Sequence, residues 1–554
     1  MTPSELGAAF DAVVESPDGV ERLRELVLEL AVRGKLVPQD PADEAGSLLL
    51  QRIVVEKARL VKAGVIRTST AHTRTPGAEA LFDLPSGWSL VRFAEVFLTL
   101  FTGPFGTSLK KSDYRIGGTP VINPQNLRAG AITPTAATCV GEATLRRLAS
   151  FRVMERDVVV ARRGEMGRCA VVRRREDGWL CGTGSLVLRP PAVVDAHFVT
   201  LFLRSPSTVN RLRDDSVGST MENLNQRILF NLPFGLPPLA EQRRIVARVD
   251  ELMDRLDRLA AARVKRDATR AAVRDSALEA LREAVTPVEV EVAWNRFAER
   301  IDELLCDPSD IAPLREAILR LAVRGRLVRQ DPADEPASTL LAGRAMSLSL
   351  EDEPFPLPRG WAWSSVDRLG HVLGGGTPSK NDASFWAGKI PWVTPKDMKR
   401  DLIADSQDHI SEAGVAGSSV KRVPPGALLM VVRGMILAHS FPTALTTTEV
   451  TVNQDMKALV PFDGAIGRFL LLVTKGLKRD VLNVVERSTH GTCKLPTDEL
   501  LGLPLPIATW AEQRRIVARV DELMDLLDRL EARLTAARAA QAAFAAAAVH
   551  RVEV

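Results

Sequence analysis

The sequence predicts an α+β fold: two mixed α/β domains separated by long antiparallel coiled-coil helices, related by an internal pseudo-two-fold duplication. Three repeats carry that expectation. Ala240–Asp254 and Ala511–Asp525 both read AEQRRIVARVDELMD, fifteen identical letters at an offset of 271. Leu23 opens LRELVLELAVRGKLVPQDPADE and Leu314 opens LREAILRLAVRGRLVRQDPADE, at an offset of 291. LPSGW at Leu84–Trp88 returns as LPRGW at Leu357–Trp361, at an offset of 273. Two copies fall short of the stacked array a solenoid needs, so the repeat reads as duplication of a half-molecule. The expected boundaries are 1–83, an N-terminal helical segment; 84–239, the first large domain; and 240–285, a central long helix. They continue with 286–356, a connector repeating the N-terminal segment; 357–510, the second large domain; and 511–554, a C-terminal long helix.

Each element has a local reason. Leu23, Leu26, Val27 and Leu30 fall at i, i+3, i+4, i+7, as do Leu314, Ala317, Ile318 and Leu321, which makes one apolar stripe on a helix. Gly34 and Gly325 follow Arg33 and Arg324, a helix-stop signature. Asp40-Pro41 and Asp331-Pro332 are then expected to cap a second helix with acidic residues in its first turn. The drop in offset from 291 to 273 places an 18-residue excess in the first connector, between Glu44 and Leu84.

The large domains hold short β-branched runs such as Asp157–Ala161 (DVVVA) and Ala427–Val432 (ALLMVV) among Gly, Pro and Thr, the pattern of loop-rich α/β domains. They match in length but differ strongly in sequence beyond their flanks. After them, Ile245, Val249, Leu252, Leu256 and Leu259 step by coiled-coil spacing, as do Ile516, Val520, Leu523, Leu527, Leu530 and Leu534. With no Pro or Gly from Ala240 to Val285, the central helix is expected to run roughly 65 Å. Two equal seam-bearing helices most simply pack on each other; the alternative is that each lies on its own domain.

Charge is distributed rather than extreme. The net charge is +4, yet Leu84–Leu239 holds 20 Lys/Arg against 12 Asp/Glu and Leu357–Trp510 holds 17 against 14. The rest of the chain is therefore net negative, and the basic surplus sits where a phosphate backbone would need it. Ordinary surface scatter is the competing explanation.

Chemistry of its own is not expected. The five cysteines (Cys139, Cys169, Cys181, Cys306, Cys493) are odd in number and form no C-x-x-C, which suggests a reduced, cytoplasmic protein without a zinc site. No signal peptide or membrane span is expected. Phe101–Gly106 (FTGPFG) only faintly resembles the F-x-G-x-G loop that cradles S-adenosylmethionine, and no Asn/Asp-Pro-Pro-aromatic motif, the usual clamp on a flipped base, accompanies it; Asn123-Pro124-Gln125-Asn126 is not one. No G-x-x-x-x-G-K-[ST] occurs, and Gly374-Gly375-Gly376-Thr377-Pro378 lacks its Lys-Ser/Thr ending. The seven histidines are scattered and form no H-x-x-x-H pair.

The segments GKLVPQDPADE and GRLVRQDPADE, then FDLPSGW and FPLPRGW, then LPPLAEQRRIVARVDELMD and its C-terminal copy, resemble the specificity subunits of type I restriction–modification systems. GPFGTSLKKSDY with GGTPVINPQNL resembles one style of target-recognition domain, and GGGTPSKNDASFWAGKIPWVTPKDM another. One departure is Ala508-Thr509-Trp510 in place of Pro-Pro-Leu, where the turn into the second long helix is open to differ.

The resemblance implies two inverted target-recognition domains, each reading half of an asymmetric bipartite site in double-stranded DNA. It implies two methyltransferase subunits as partners in an adenine-specific modification enzyme, and two restriction subunits completing an endonuclease. It implies no cofactor in this chain, with S-adenosylmethionine, ATP and Mg held by those partners, and no membrane association. The candidate DNA contacts of the first domain are Lys110, Lys111, Arg162, Arg163 and Arg168. Gly218–Asn223 resembles a family loop near DNA and adds Ser219, Thr220 and Asn223. Those of the second domain are Thr377, Lys380, Lys396, Lys399, Arg400, Arg433 and Lys494. For any one cation, a solvated surface charge is the competing explanation. Two other readings stay open: a stand-alone bipartite DNA-binding regulator, which would bind its site tightly without a methyltransferase, and a fused methyltransferase or nuclease, which would need the missing motifs.

Overall fold

Gly34 and Gly325, the two helix-stop glycines, adopt left-handed backbone with φ of 67° and 64°. They do so within a computed structural model that describes residues 10–66, 82–104, 108–128, 130–215, 224, 226–349, 353–487 and 491–553. The chain divides into two units, Met1–Val264 with Arg538–Val554, and Lys265–Ala537.

In the first unit, helix α1 (Gly19–Val32) buries Leu23 and Leu26 and ends in a Schellman turn. Lys35 N–H donates to the Leu30 carbonyl at 2.9 Å and Gly34 N–H to that of Ala31 at 3.4 Å. Asp40 does not cap the next helix, contrary to the sequence expectation. Its carboxylate accepts the Ala42 N–H at 2.9 Å to close a turn, and α2 (Gly46–Lys62) begins later. The start of α2 is set by tertiary contact: Gly46 N–H donates to the Gly87 carbonyl of LPSGW at 2.9 Å. Asp43, expected in a first helical turn, instead pairs with Arg244 at 2.6 Å.

Two small sheets follow. Strands β1 (Ser89–Arg92), β2 (Thr99–Thr102), β3 (Tyr114–Arg115), β4 (Thr119–Ile122) and β5 (Cys139–Val140) precede β6 (Val158–Ala161) and β7 (Cys169–Val171). Then come β8 (Leu180–Cys181), β9 (Ser185–Arg189), helices α3 (Ala196–Arg204) and α4 (Pro206–Asp214), and β10 (Pro233–Leu236). One sheet has the order β8-β4-β5-β3 and the other β2-β9-β6-β7, while β1 pairs antiparallel with β10.

The apolar run at β6 is buried on both faces, and its side chains alternate between two clusters. Val158 and Val160 join Phe93, Phe198, Phe202 and Phe234, whereas Val159 and Ala161 join Ile122, Leu127 and Val187. Phe202 and Phe234 meet edge-to-face with centroids 4.7 Å apart. Burying each such ring stabilises the unit by about 1.5–3 kcal/mol.

The second unit repeats the plan. Helix α6 (Ile311–Val323) ends with Arg326 N–H donating to Leu321 at 2.8 Å and Gly325 N–H to Ala322 at 3.2 Å. Asp331 likewise closes a turn, through Ala333 N–H at 2.9 Å, rather than capping α7 (Ala337–Leu341). Ala337 N–H donates to the Gly360 carbonyl of LPRGW at 2.8 Å. The 18-residue excess includes a longer helix, since α2 has 17 residues and α7 has 5.

The strands of this unit are β11 (Ala362–Ser365), β12 (Gly370–Gly374), β13 (Ile390–Val393), β14 (Leu402–Ile403), β15 (Asp408–Ile410) and β16 (Arg422–Val423). They continue with β17 (Leu428–Val431), β18 (Thr443–Thr446), β19 (Val450–Val452) and β20 (Met456–Pro461). Helices α8 (Gly467–Gly476) and α9 (Lys478–Asn483) and strand β21 (Pro504–Ile507) follow. The sheets run β12-β20-β17-β18-β14 and β15-β13-β19-β16, with β11 paired to β21. The fifth strand, β14, differs in pairing from its counterpart in the first unit, Ala131–Ile132, which pairs with Leu127–Arg128 rather than joining the larger sheet.

The long helices run from Leu239 to Glu283 (α5, 45 residues) and from Trp510 to Glu553 (α10, 44 residues). Their seams serve two purposes. Ile245 and Val249 pack on their own domain beside Trp88 and Phe234, but Leu256 shares a cluster with Ala545, Ala548 and Val549. In the second unit Ile516 and Val520 pack on their own domain, while Leu527 clusters with Leu278 and Leu281. The turn into α10 does not differ despite its changed residues. Gln513 Nε2 donates to the Ala508 carbonyl at 2.9 Å, as Gln242 Nε2 does to Pro237 at 2.9 Å.

Candidate nucleic-acid interface

The two sheets of each unit bring several chain segments together at one place. In the first unit, β6 ends at Ala161 and the chain turns through Arg162–Arg168. Arg162 N–H donates to the Gly184 carbonyl at 2.9 Å, and Leu224 N–H donates to the Arg162 carbonyl at 2.8 Å. A Cβ at Gly103 would lie 1.9 Å from the Gly182 carbonyl oxygen, and one at Gly182 would lie 2.1 Å from Asn123 Oδ1. The segments at Gly103, Asn123, Gly182–Gly184, Arg162 and Leu224 are thus held against one another. Gly103 of the FTGPFG stretch has a structural use, close approach of two backbones; Phe105 and Gly106 lie outside the described residues.

The second unit gathers corresponding segments. Val432 N–H donates to the Asp455 carbonyl at 2.8 Å, Leu495 N–H to Val432 at 2.9 Å and Gly434 N–H to Cys493 at 3.0 Å. Leu224 and Leu495 each stand 16 residues before the AEQRR repeat. Gly375 plays the part of Gly103, since a Cβ there would lie 1.8 Å from the Asn453 carbonyl oxygen.

Arg163 and Arg433 open the turns at these meeting points, each followed by a glycine in left-handed backbone (Gly164, φ 85°; Gly434, φ 132°). Both are exposed, and among the described residues neither has an ion-pair partner. Arg162 behaves differently: its Nε donates to the Leu224 carbonyl at 3.1 Å, and its guanidinium is half-buried. Burial first, and neighbouring Arg163 second, lower its pKa from the ordinary value. It fixes the chain rather than offering a free charge. Ser219, Thr220 and Asn223 lie outside the described residues.

The second unit brings together Thr377, Arg433 and Lys494. Arg433 and Lys494 form an antiparallel bridge, and Thr377 Oγ1 donates to Gln454 Oε1. Lys380 is exposed just beyond Ser379, whose carbonyl accepts the Trp386 indole N–H at 3.1 Å. Gln454 escaped sequence reasoning because no motif marks it; only the convergence of the loops places it beside Thr377.

The remaining candidates lie apart. Lys110 and Lys111 are exposed on a short turn closed by Lys110 N–H to Asp113 at 2.7 Å. Arg168 pairs with Glu165 at 2.9 Å. Lys396 is exposed in the turn where Thr394 N–H donates to Asp397 at 2.8 Å, and Lys399 and Arg400 are exposed beyond it.

Exposed arginine forks and a glutamine amide on short, braced loops are the groups that pair bidentately with guanine and adenine edges in a major groove. No group of three or more His, Cys, Asp or Glu side chains able to hold a metal occurs among the described residues. No helix among them is long and apolar enough to cross a membrane.

The family model described as the type I restriction modification DNA specificity domain matches residues 85–265 and 358–537. The type I restriction enzyme EcoAI specificity subunit of Escherichia coli is 27% identical over 570 residues, covering 93% of this chain and 90% of that protein. The EcoEI specificity subunit of Escherichia coli is 25% identical over 569 residues, covering 94% and 92%. The crystal structure of the HsdS subunit from Thermoanaerobacter tengcongensis matches at 20% identity with a TM-score of 0.42, covering 85% of this chain and 99% of that one. With the family model matching twice, once in each half, the chain belongs to the type I restriction–modification DNA specificity subunits.

Proposed function

We propose that this chain reads a bipartite, asymmetric DNA target, one half with each unit, and positions partner subunits that carry out the chemistry. The observation that carries the reading is the recurrence, in both units, of one convergence of loops around an Arg-Gly turn, at Arg163-Gly164 and Arg433-Gly434. The two convergences share a frame but differ in side chains, as two recognition surfaces for different sequences would. Arg163, Thr377, Gln454, Arg433 and Lys494 are proposed to reach bases or phosphates there, with Arg162 bracing its loop through the Leu224 carbonyl; Ser219, Thr220 and Asn223, outside the described residues, are proposed to join them.

The long helices are proposed to run antiparallel and to set the separation of the half-sites. Support comes from the clusters: Leu256 of α5 shares one with Ala548 of α10, and Leu278 of α5 shares another with Leu527 of α10. Two methyltransferase subunits are proposed to dock on the repeated helical surfaces, bringing S-adenosylmethionine, with two restriction subunits bringing ATP and Mg.

The test exchanges Leu84–Leu239 for a homologous domain of different specificity and maps methylated sites in cells that co-express the methyltransferase. One half-site should change and the other persist. Alteration of both half-sites would overturn independent readout.

A further inference from the structure

Each unit carries a groove between its repeated N-terminal helix and its domain, and the two grooves occupy the same positions of the repeat. In the first unit, a groove of about 900 Å³ is lined by Glu21, Arg24, Glu25 and Leu28 of α1. In the second, one of about 570 Å³ is lined by Ala312, Arg315, Glu316 and Leu319 of α6. These are the same positions shifted by 291, the offset of that helix. The facing walls correspond at the other offset, 271: Leu127, Arg128 and Arg204 in one groove stand where Met398, Lys399 and Lys475 stand in the other.

Both grooves are basic, although the domains that form their walls differ in sequence. The first is lined by five arginines against three glutamates, and the second by five Lys/Arg against Glu316 and Asp401. The acids are largely committed to cations of the protein itself. Glu21 pairs with Arg24, Glu165 with Arg168 at 2.9 Å, Glu316 with Arg479 at 2.8 Å, and Asp401 with Lys475. Three cations in each groove have no ion-pair or hydrogen-bond partner for their charged ends among the described residues. They are Arg128, Arg204 and Arg213 in the first unit and Lys399, Arg400 and Lys478 in the second. Grouping three unpaired like charges along one groove is electrostatically unfavourable without an anion to share.

The first groove also adjoins the reading loops. Its lining includes Glu165–Cys169, the continuation of the Arg163-Gly164 turn, and Gln125, Leu127 and Arg128, in the continuation of the Asn123 segment.

We infer that these grooves are phosphate-backbone clamps: Arg128, Arg204 and Arg213, and Lys399, Arg400 and Lys478, hold the DNA backbone without reading bases. The inference rests on the DNA-reading proposal above and extends it to a separate, sequence-independent surface. A duplex backbone suits these grooves better than an acidic polypeptide, because the first is continuous with the loops proposed to meet the bases. Phosphate contacts of this kind fix register and supply affinity, while base contacts supply specificity.

The test uses the full-length chain and two probes: a mixed-sequence duplex, and the duplex the wild-type chain selects from a random library. Arg128→Gln with Arg213→Gln neutralises two exposed cations in the first unit, and Lys399→Gln with Lys478→Gln one exposed and one half-buried cation in the second. Each pair should make the slope of log affinity against log salt shallower by about 2, and weaken binding of both probes by the same factor, roughly 5–10-fold per residue at about 0.1 M salt. The selected sequence should not change, and Arg128→Lys with Arg213→Lys should restore most of the affinity.

Unchanged slope and affinity with normal wild-type binding would overturn the clamp while leaving the reading loops standing. A changed selected sequence would assign base reading to these residues and also overturn it. Normal DNA binding with lost capture of a co-expressed methyltransferase would make the groove a protein-docking site. Failure of the wild-type chain to bind either duplex would instead sink the DNA-reading proposal on which the clamp rests.

Discussion

Trp88 donates its indole N–H to the buried carboxylate of Glu241 at 3.0 Å across 153 residues of sequence, and Trp361 does the same to Glu512 at 2.8 Å across 151. These bonds join two of the three sequence repeats. The third repeat meets them at the helix-stop glycines: a Cβ on Gly34 would lie 2.5 Å from Pro85 and 3.0 Å from Trp88, and one on Gly325 would lie 2.4 Å from Pro358 and 2.9 Å from Trp361. Arg244–Asp43 and Arg515–Asp334 pairs flank each cluster, at 2.6 and 2.5 Å. The repeated letters are therefore those of one joint, built once in each unit, where helix, domain and long helix meet.

Removing the acceptor should weaken that joint. Glu241→Ala leaves the buried indole N–H of Trp88 without a partner and is expected to cost about 1–3 kcal/mol of stability. Glu241→Gln keeps an oxygen acceptor and should cost much less. Urea unfolding of the two variants checks this, and equal losses would show that the bond is not what holds the joint.

The same carboxyls set a pH dependence of definite sign. Burial, outweighing the indole N–H, raises the pKa of Glu241 and of Glu512 above the ordinary carboxylate value. The folded state then binds these protons more tightly than the unfolded state. Stability from these groups increases as pH falls through the raised values, and the penalty is complete above them. Asp334 has the opposite sign, since Arg515 lowers its pKa and its contribution is lost on acidification. A Glu241→Gln, Glu512→Gln variant isolates the first effect: its stability relative to the wild type should be highest near neutrality and fall on mild acidification. A relative stability that instead grows as the pH is lowered would refute the assignment.

Gly34→Ala and Gly325→Ala should each destabilise by at least about 1–2 kcal/mol from left-handed backbone alone, with a further cost from the side chains they strike. Thermal unfolding of each single variant measures this. A change of a few tenths would mean that the joint yields to an added methyl.

Thiol reactivity should be sharply unequal. Burial pushes the Cys169 and Cys181 thiols up to about 12, Cys139 and Cys493 are also buried, and Cys306 is exposed. A thiol reagent should modify one cysteine quickly in the native chain, removable by Cys306→Ser, and the other four only on unfolding.

Helix length should set the gap between half-sites. Four residues inserted after Ala260 add roughly 6 Å of helix, about two base pairs of rise at about 3.4 Å each, and the preferred spacer should lengthen by one or two base pairs. An unchanged spacer at full activity, read by methylation mapping, would mean that α5 and α10 are not the ruler.

Much of this protein is set by local sequence. The apolar stripe at Leu23–Leu30, the stop at Gly34, the alternation in Val158–Ala161 and the proline-free run after Ala240 each act within a few residues, so periodicity and backbone requirements reveal them directly. The tertiary structure decided where α2 and α7 begin, because the Gly87 and Gly360 carbonyls that receive their first N–H groups lie on another segment. It decided that Asp43 and Asp334 are ion-pair partners rather than helix-start residues. It decided which cations stand free: Arg162 is tied to Leu224, Arg163 beside it is not, and Gln454 reaches Thr377 only because two strands deliver their loops together. Such contacts depend on the path of the chain through two sheets, and no local property of the residues records where that path will bring them.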